Sequence, residues 1–269
     1  MIKGILLLIF VLLISIYSKG QIRYHHIVDA EKIEKKYGFI LQSVQETSPT
    51  SGAPGPPAVT VVNLCVPRKG VVSITNGMIK FDLWQITDSI TCGPNPIDRH
   101  TALTTLRFSE NRKSFGEETK VMWIPFRAIS VGVNTLPFRI RGAATQNNGT
   151  TRVPATATSS FALAVSGGYS IGWSQFTTRN MVNWSVTVGA YAGPSTVELN
   201  KATVQNPGTW TDNRTNASLS YGLNLVFARN NLGLVVAVGG EHALGTNNRQ
   251  WIYNHVPYLG FGINTSSLK

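Results

Sequence analysis

The stretch from Phe161 to Trp173, FALAVSGGYSIGW, decides the fold. Phe161, Leu163, Val165, Tyr169, Ile171 and Trp173 share one parity. Ala162, Ala164, Ser166, Gly168, Ser170 and Gly172 share the other. Side chains of a strand alternate between faces, so this segment has one large apolar face and one small polar face. The pattern recurs downstream. In 182–193, Val182, Trp184, Val186 and Val188 oppose Asn183, Ser185, Thr187 and Gly189. In 217–228, Leu219, Tyr221, Leu223, Leu225 and Phe227 oppose Ser218, Ser220, Gly222 and Asn224. Segments 232–243 and 251–263 follow suit, the last with Trp251, Tyr253, Leu259, Phe261 and Ile263 on its apolar parity.

Alternation alone also describes a soluble sandwich. Length separates the two: these strands run about 11 to 15 residues, against about 5 to 6 in soluble domains and about 9 to 11 for a tilted transmembrane strand. Weaker candidates at 100–108, 119–128 and 132–141 complete a set of about eight. The expected fold is therefore all-β, an antiparallel up-and-down transmembrane β-barrel over 100–269. Short links at 129–131, 175–181 and 229–230 fall on one side, and longer ones at 109–118, 142–158, 194–216 and 244–250 on the other, as in outer-membrane barrels.

Charge placement agrees with that register. Arg107, Arg127, Arg139, Arg141 and Glu241 fall on the inward parity, where they avoid the roughly 2 to 4 kcal/mol that a midplane arginine facing lipid costs. Aromatic residues sort by height into two girdles: Phe126, Trp173, Trp184, Phe227 and Phe261 at one rim, and Phe161, Trp251 and Tyr253 at the other. Trp123 points inward in this register and does not fit it.

The chain has 269 residues. It opens on Lys3, an apolar run from Ile5 to Ile14 and then Ser18-Lys19-Gly20, which reads as a signal peptide over 1–20. The run is too short for a membrane-spanning helix, and no later segment approaches 18 consecutive apolar residues. Without Lys3 and Lys19, 22 basic residues stand against 13 acidic ones. They are scattered rather than clustered, so outer-membrane lipid headgroups and lipopolysaccharide are better counter-charges than nucleic acid. Cys65 and Cys92 are the only cysteines, an even pair that export would expose to oxidation, which predicts a disulfide.

Residues 21–99 have a different texture. Asp29 to Tyr37 reads as a short polar helix, Ser48 to Pro57 (SPTSGAPGPP) as a linker, and 59–66 and 71–86 as strands. This is an N-terminal extension or a small disulfide-stapled β unit.

Leu136-Pro-Phe-Arg-Ile-Arg141 and Trp251-Ile-Tyr-Asn-His-Val-Pro-Tyr-Leu-Gly-Phe-Gly-Ile263 resemble small outer-membrane β-barrel proteins of Bacteroidota-type bacteria, over roughly 118–264. The resemblance implies insertion by the barrel-assembly machinery and no cofactor. Many such barrels end on an aromatic residue, whereas this chain continues past Ile263 as Asn-Thr-Ser-Ser-Leu-Lys.

Candidate chemistry is sparse. His25-His26 are adjacent, so on a strand they face opposite ways and do not share a metal; solvated positions near a new N-terminus are expected. Glu117-Glu118 sit beside Arg112 and Lys113 as a surface charge cluster. No nucleophile elbow, phosphate-binding glycine loop or HExxH occurs. The expected function is a non-enzymatic outer-membrane protein with surface loops for partner contact. Two alternatives stay open. One is a small anion pore lined by Arg107, Arg127, Arg139 and Arg141. The other is a secreted β-sandwich of lectin-like type, using Trp173, Trp184 and Trp251.

Overall fold

The structure is a computed structural model. It describes residues 24–45, 59–61, 64, 67–84, 104–110, 121–146, 151–160, 162–177 and 180–268. The expected signal peptide, Cys65, Cys92, Phe161 and the Glu117-Glu118 pair lie outside the described residues.

The front of the chain folds as a small sheet with one helix. Strand β1 is His25–Val28 and helix α1 is Ala30–Tyr37. Asp29 caps α1 by accepting from the Lys32 amide at 3.1 Å, and Gly38, at φ 70°, ends it by donating to the Glu34 carbonyl. An acidic-polar start and a left-handed glycine stop are what a helix of this length requires. Strands β2 (Phe39–Gln45), β3 (Val59–Val61), β4 (Arg68–Thr75), β5 (Met78–Leu83) and β6 (Thr104–Glu110) follow. The β4–β5 hairpin turns on Asn76-Gly77, both at positive φ, the signature of a two-residue hairpin loop.

Long strands make up the rest: β7 (Met122–Arg141), the short pair β8 (Ala144–Thr145) and β9 (Arg152–Val153), then β10 (Thr156–Ser159), β11 (Leu163–Phe176), β12 (Met181–Leu199), β13 (Arg214–Arg229), β14 (Leu232–Ala243) and β15 (Tyr258–Leu268). All pairings are antiparallel, and twelve of the strands form one path, β11-β12-β13-β14-β15-β7-β1-β4-β5-β6-β2-β3. β7 also pairs with β11, so β7, β11, β12, β13, β14 and β15 form a closed circuit of six. Tracing partners once around it, Leu232 leads through Thr265, Val133, Val165, Ala192 and Tyr221 to Gly240. The path returns to β14 eight residues further along, a strong stagger.

β7 differs from the sequence expectation in two ways. The expected turn at 129–131 is absent, and 119–128 and 132–141 merge into one 20-residue strand. Its pairing with β15 slips between Phe261 and Ile263, leaving one extra residue on β7 around Leu136-Pro137. Such a bulge reverses which parity faces inward. Gly262 permits it, because a Cβ there would lie 1.8 Å from the Thr135 carbonyl oxygen. The candidate at 100–108 joins the front sheet as β6, against β2 and β5. Two of the eight expected strands thus leave the count, and six remain in the circuit.

β7 shares one of its edges between two partners: β15 takes residues 130–141 and β1 takes Phe126 and Arg127. The front sheet therefore continues the circuit at its lower end. Their apolar interiors meet there, with Val28, Ile33, Phe39, Leu41, Phe81 and Phe108 packed in one cluster with Met122, Ile124 and Phe176.

Candidate functional site

The buried parity of the six strands is the inside of the circuit, because its side chains touch across strands that are not paired. Tyr191 on β12 meets Tyr258 on β15 hydroxyl to hydroxyl at 2.8 Å, and Ser195 on β12 donates to Glu241 on β14 at 2.8 Å. Small residues fill this space. A Cβ on Gly239 would come within 2.1 Å of the Tyr191 hydroxyl and 2.3 Å of the Tyr221 carbonyl. At mid-height Asn264 donates to Asn134 at 2.6 Å and Ser170 meets Thr187 at 2.6 Å.

Towards the upper end the interior holds a charge cluster. Glu241 is fully buried between Arg139 and Arg141, with one carboxylate oxygen taking each guanidinium. Arg139 also donates to the Ser160 carbonyl and hydroxyl, and Arg141 to the Thr158 hydroxyl. The arginines are packed as well as paired: the Arg141 guanidinium lies 5.4 Å from the Trp251 ring centre, 5.7 Å from Tyr253 and 5.9 Å from Tyr258. Charges stay inside only where partners satisfy them; here a carboxylate, hydroxyls and aromatic faces serve the terminal guanidinium nitrogens, while the Nε of each arginine is buried without a hydrogen-bond partner.

Above the cluster the long loops close over the circuit. Trp251, Ile252 and Tyr253 pack with Val197, Leu199, Val204 and Trp210. Val204 bridges Trp251, the Ile252 amide donates to the Thr203 carbonyl at 3.0 Å, and Gln146 donates to the carbonyls of Lys201 and Val204 at 3.1 and 3.0 Å. Below, the polar residues at the circuit's mouth are plugged by β1. His26 is buried, accepts from the Val72 amide through Nδ1 at 3.1 Å, and meets Ser174 through Nε2 at 2.9 Å. Tyr24 reaches Ser174 at 2.8 Å and Asn183 at 3.3 Å. Burial, reinforced by neighbouring His25, pushes the His26 imidazole down to about 3; burial likewise raises the Tyr24 phenol to about 12.

The exterior is the reverse of the interior. Val165, Ile171 and Trp173 on β11, Trp184 and Val188 on β12, Leu219, Leu223 and Phe227 on β13, Leu234 and Val238 on β14, and Phe261 and Ile263 on β15 are all exposed large apolar side chains. Apolar residues face outward on every strand of the circuit. An exposed apolar surface of that extent marks contact with another apolar phase or partner.

Of the expected inward charges, Arg139, Arg141 and Glu241 come together. Arg127 does not: it is exposed, because the bulge and the merged strand put the even residues of Met122–Leu136 inside. Arg107 belongs to β6 of the front sheet, half-buried with its guanidinium 3.9 Å from the Met78 sulfur. Among the expected girdle, Trp173, Trp184, Phe227 and Phe261 face outward. Phe126 is buried and faces inward, for the same parity reason, while Trp123 is exposed. Trp251 and Tyr253 are buried in the loop cap rather than at the rim, since 251–257 folds as turns and β15 starts only at Tyr258. His25 and His26 are buried rather than solvated. The cap and the plug have little signal in the sequence; the one pointer to the cap is the aromatic density of 251–258 close after Glu241 on β14.

Compared with protein-family models, curated proteins and solved structures, the chain matches none.

Proposed function

We propose that this chain is an exported outer-membrane protein whose six-strand circuit is a closed β-barrel crossing the lipid, with the loop cap outside the cell and the front sheet in the periplasm. The observation that carries the reading is the distribution of side chains: large apolar residues outside on every strand, and inside serine, asparagine and glycine, an ion-paired cluster of two arginines and one glutamate, and a small apolar cluster around Leu136, Val226 and Val235. Dimensions support it. A stagger of eight over six strands spaced about 4.8 Å gives a tilt of about 42°, and the 12 residues of β14 then rise about 29 Å, close to the hydrocarbon thickness. Exported single-chain barrels count upward from eight strands. Six enclose a radius of only about 6.5 Å at this tilt, which accounts for the small inward residues.

A filled, narrow interior favours a structural or binding role over conduction. Glu241 and aromatic faces already occupy the arginines that would line an anion path. No enzymatic role is proposed. The work then falls to the cap built from residues 142–146, 151–155, 200–213 and 244–257, a platform for partner contact of the kind that scaffold-held loops provide. Outer-membrane lipid and lipopolysaccharide surround the strands, and insertion uses the barrel-assembly machinery.

The test is electrophoretic mobility of the protein from outer-membrane fractions, with and without boiling in detergent. A shift on boiling with recovery in the membrane supports the barrel. A protein that stays in solution without detergent and migrates unchanged overturns it in favour of the secreted module.

A further inference from the structure

An open groove of about 790 Å³ crosses the outer face of the circuit, starting at its lower rim. Directly opposed residues of neighbouring strands share a face, and one such row runs Trp184, Arg229, Leu232, Thr265, Val133, Val165. From Leu232 onward this row is the first half of the stagger traced above, so it climbs as it passes from strand to strand. Its lower end is polar. There the Arg229 guanidinium lies 5.2 Å from the centre of the Trp184 ring, and Asn230 and Asn231 line the groove beside it. Its upper end is apolar, with Val131, Val133 and Val165 all exposed. The turn at the lower end is fastened on both sides. Asn230 accepts from the Asn183 amide through Oδ1 at 2.8 Å and donates its own amide to the Asn183 carbonyl at 2.7 Å, while the Asn231 carbonyl accepts from the Ser266 amide at 3.0 Å. The groove is therefore held in shape by β12 and β15.

We propose that this groove holds one anionic phospholipid of the periplasmic leaflet, its phosphate on Arg229 and an acyl chain along Leu232, Val133 and Val165. Charge complementarity carries the choice. Among the described residues no carboxylate pairs with Arg229, and a guanidinium offers phosphate a fork of donors. A zwitterionic headgroup brings its own cation to the phosphate, so an anionic one suits a lone arginine better. The Trp184 ring supports the guanidinium from one side, and indoles favour the headgroup level of a bilayer. Direction agrees as well: the polar end is at the rim, and the apolar end climbs to where hydrocarbon lies. The inference rests on the membrane reading, because a lipid leaflet is what sets such a molecule beside an outward apolar row.

The experiment reconstitutes the full chain into phosphatidylcholine vesicles that contain a minor share of phosphatidylglycerol and floats them on a density gradient. The protein is then extracted in mild detergent, and the lipid it retains is identified by native mass spectrometry. Wild type is expected to float and to keep one phosphatidylglycerol in preference to phosphatidylcholine. Arg229→Gln is expected to float equally and to lose about fivefold in that preference. Arg127→Gln removes another outward arginine, on β7 and outside the groove, and is expected to keep it. Floating protein without a phosphatidylglycerol preference, equal retention in wild type and Arg229→Gln, or an equal loss in both variants overturns the site and leaves the membrane reading standing. Protein that never floats overturns both.

Discussion

Phe126 and Phe138 stand on one strand at the same parity, yet Phe126 is 1 % exposed and Phe138 62 %. The extra residue at Leu136-Pro137 separates them, and it turns the upper end of β7, Phe138 to Arg141, over while the lower part keeps its face. This single reversal brings Arg139 and Arg141 inside to meet Glu241 and leaves Phe138 and Ile140 outside.

The reversal predicts unequal costs. Phe126 lies against Tyr24 and His26 and occupies space that Gly172 leaves open. Phe126→Ala is expected to cost about 3 to 5 kcal/mol. Phe138→Leu, a swap between apolar side chains on the outer face, should stay within about 0.5 kcal/mol. Urea unfolding in lipid vesicles measures both, and a costly Phe138→Leu with a neutral Phe126→Ala would place the faces the other way round.

Glu241 is the one buried carboxylate among the described residues. Glu241→Gln leaves two buried guanidiniums facing each other, and breaking a buried ion pair by removing one partner costs about 3 to 5 kcal/mol. The triple change Arg139→Met, Glu241→Leu, Arg141→Met removes all three charges and is expected to regain most of that loss. If the triple variant were no more stable than Glu241→Gln alone, the charges would matter for something other than mutual neutralisation.

His26 makes the lower plug acid-sensitive. Its imidazole is held neutral by burial, down to about 3 against an ordinary value near 6.5. In the window between those values the unfolded chain binds a proton that the folded chain excludes. This contribution is fully present above about pH 6.5 and is lost as pH falls towards 3, at up to about 1.4 kcal/mol per pH unit. Protonation also puts a proton on Nδ1, which now accepts from Val72. Denaturation at pH 7.5 and 4.5 should show a smaller difference for His26→Asn than for wild type; identical pH dependence would remove His26 as the cause.

Much of this was legible in the alternation of residues. β14 spans 232–243 as expected, and the outward Trp173, Trp184, Leu223 and Phe227 are those the pattern assigns. The failures have two physical origins. A bulge changes parity without changing composition, so the alternation puts Phe126, Trp123 and Arg127 on the wrong faces, and Val131-Gly132 inside β7 reads as a turn although it pairs with Ser267-Ser266. Trp251 and Tyr253 alternate like a strand, but Pro257 and the left-handed His255 end that possibility and their rings cap Arg141 instead. Burial under a loop is a tertiary event, and no local period records it.

The outer face gives the strongest test of what surrounds it. Leu223 is near the middle of β13 and faces outward, while Leu232 begins β14 at the lower rim beside the Asn230-Asn231 turn. In lipid, an arginine at mid-height costs about 2 to 4 kcal/mol and one near the interface about 0 to 1. Leu223→Arg should therefore destabilise the vesicle-inserted protein strongly and Leu232→Arg barely, with the gap read from urea midpoints at constant slope. In water both changes would be close to neutral, or would improve solubility, since both side chains would already be solvated. Equal, small effects at the two heights would mean that no hydrocarbon layer covers β13, and the membrane assignment would fall even if the six-strand circuit stood.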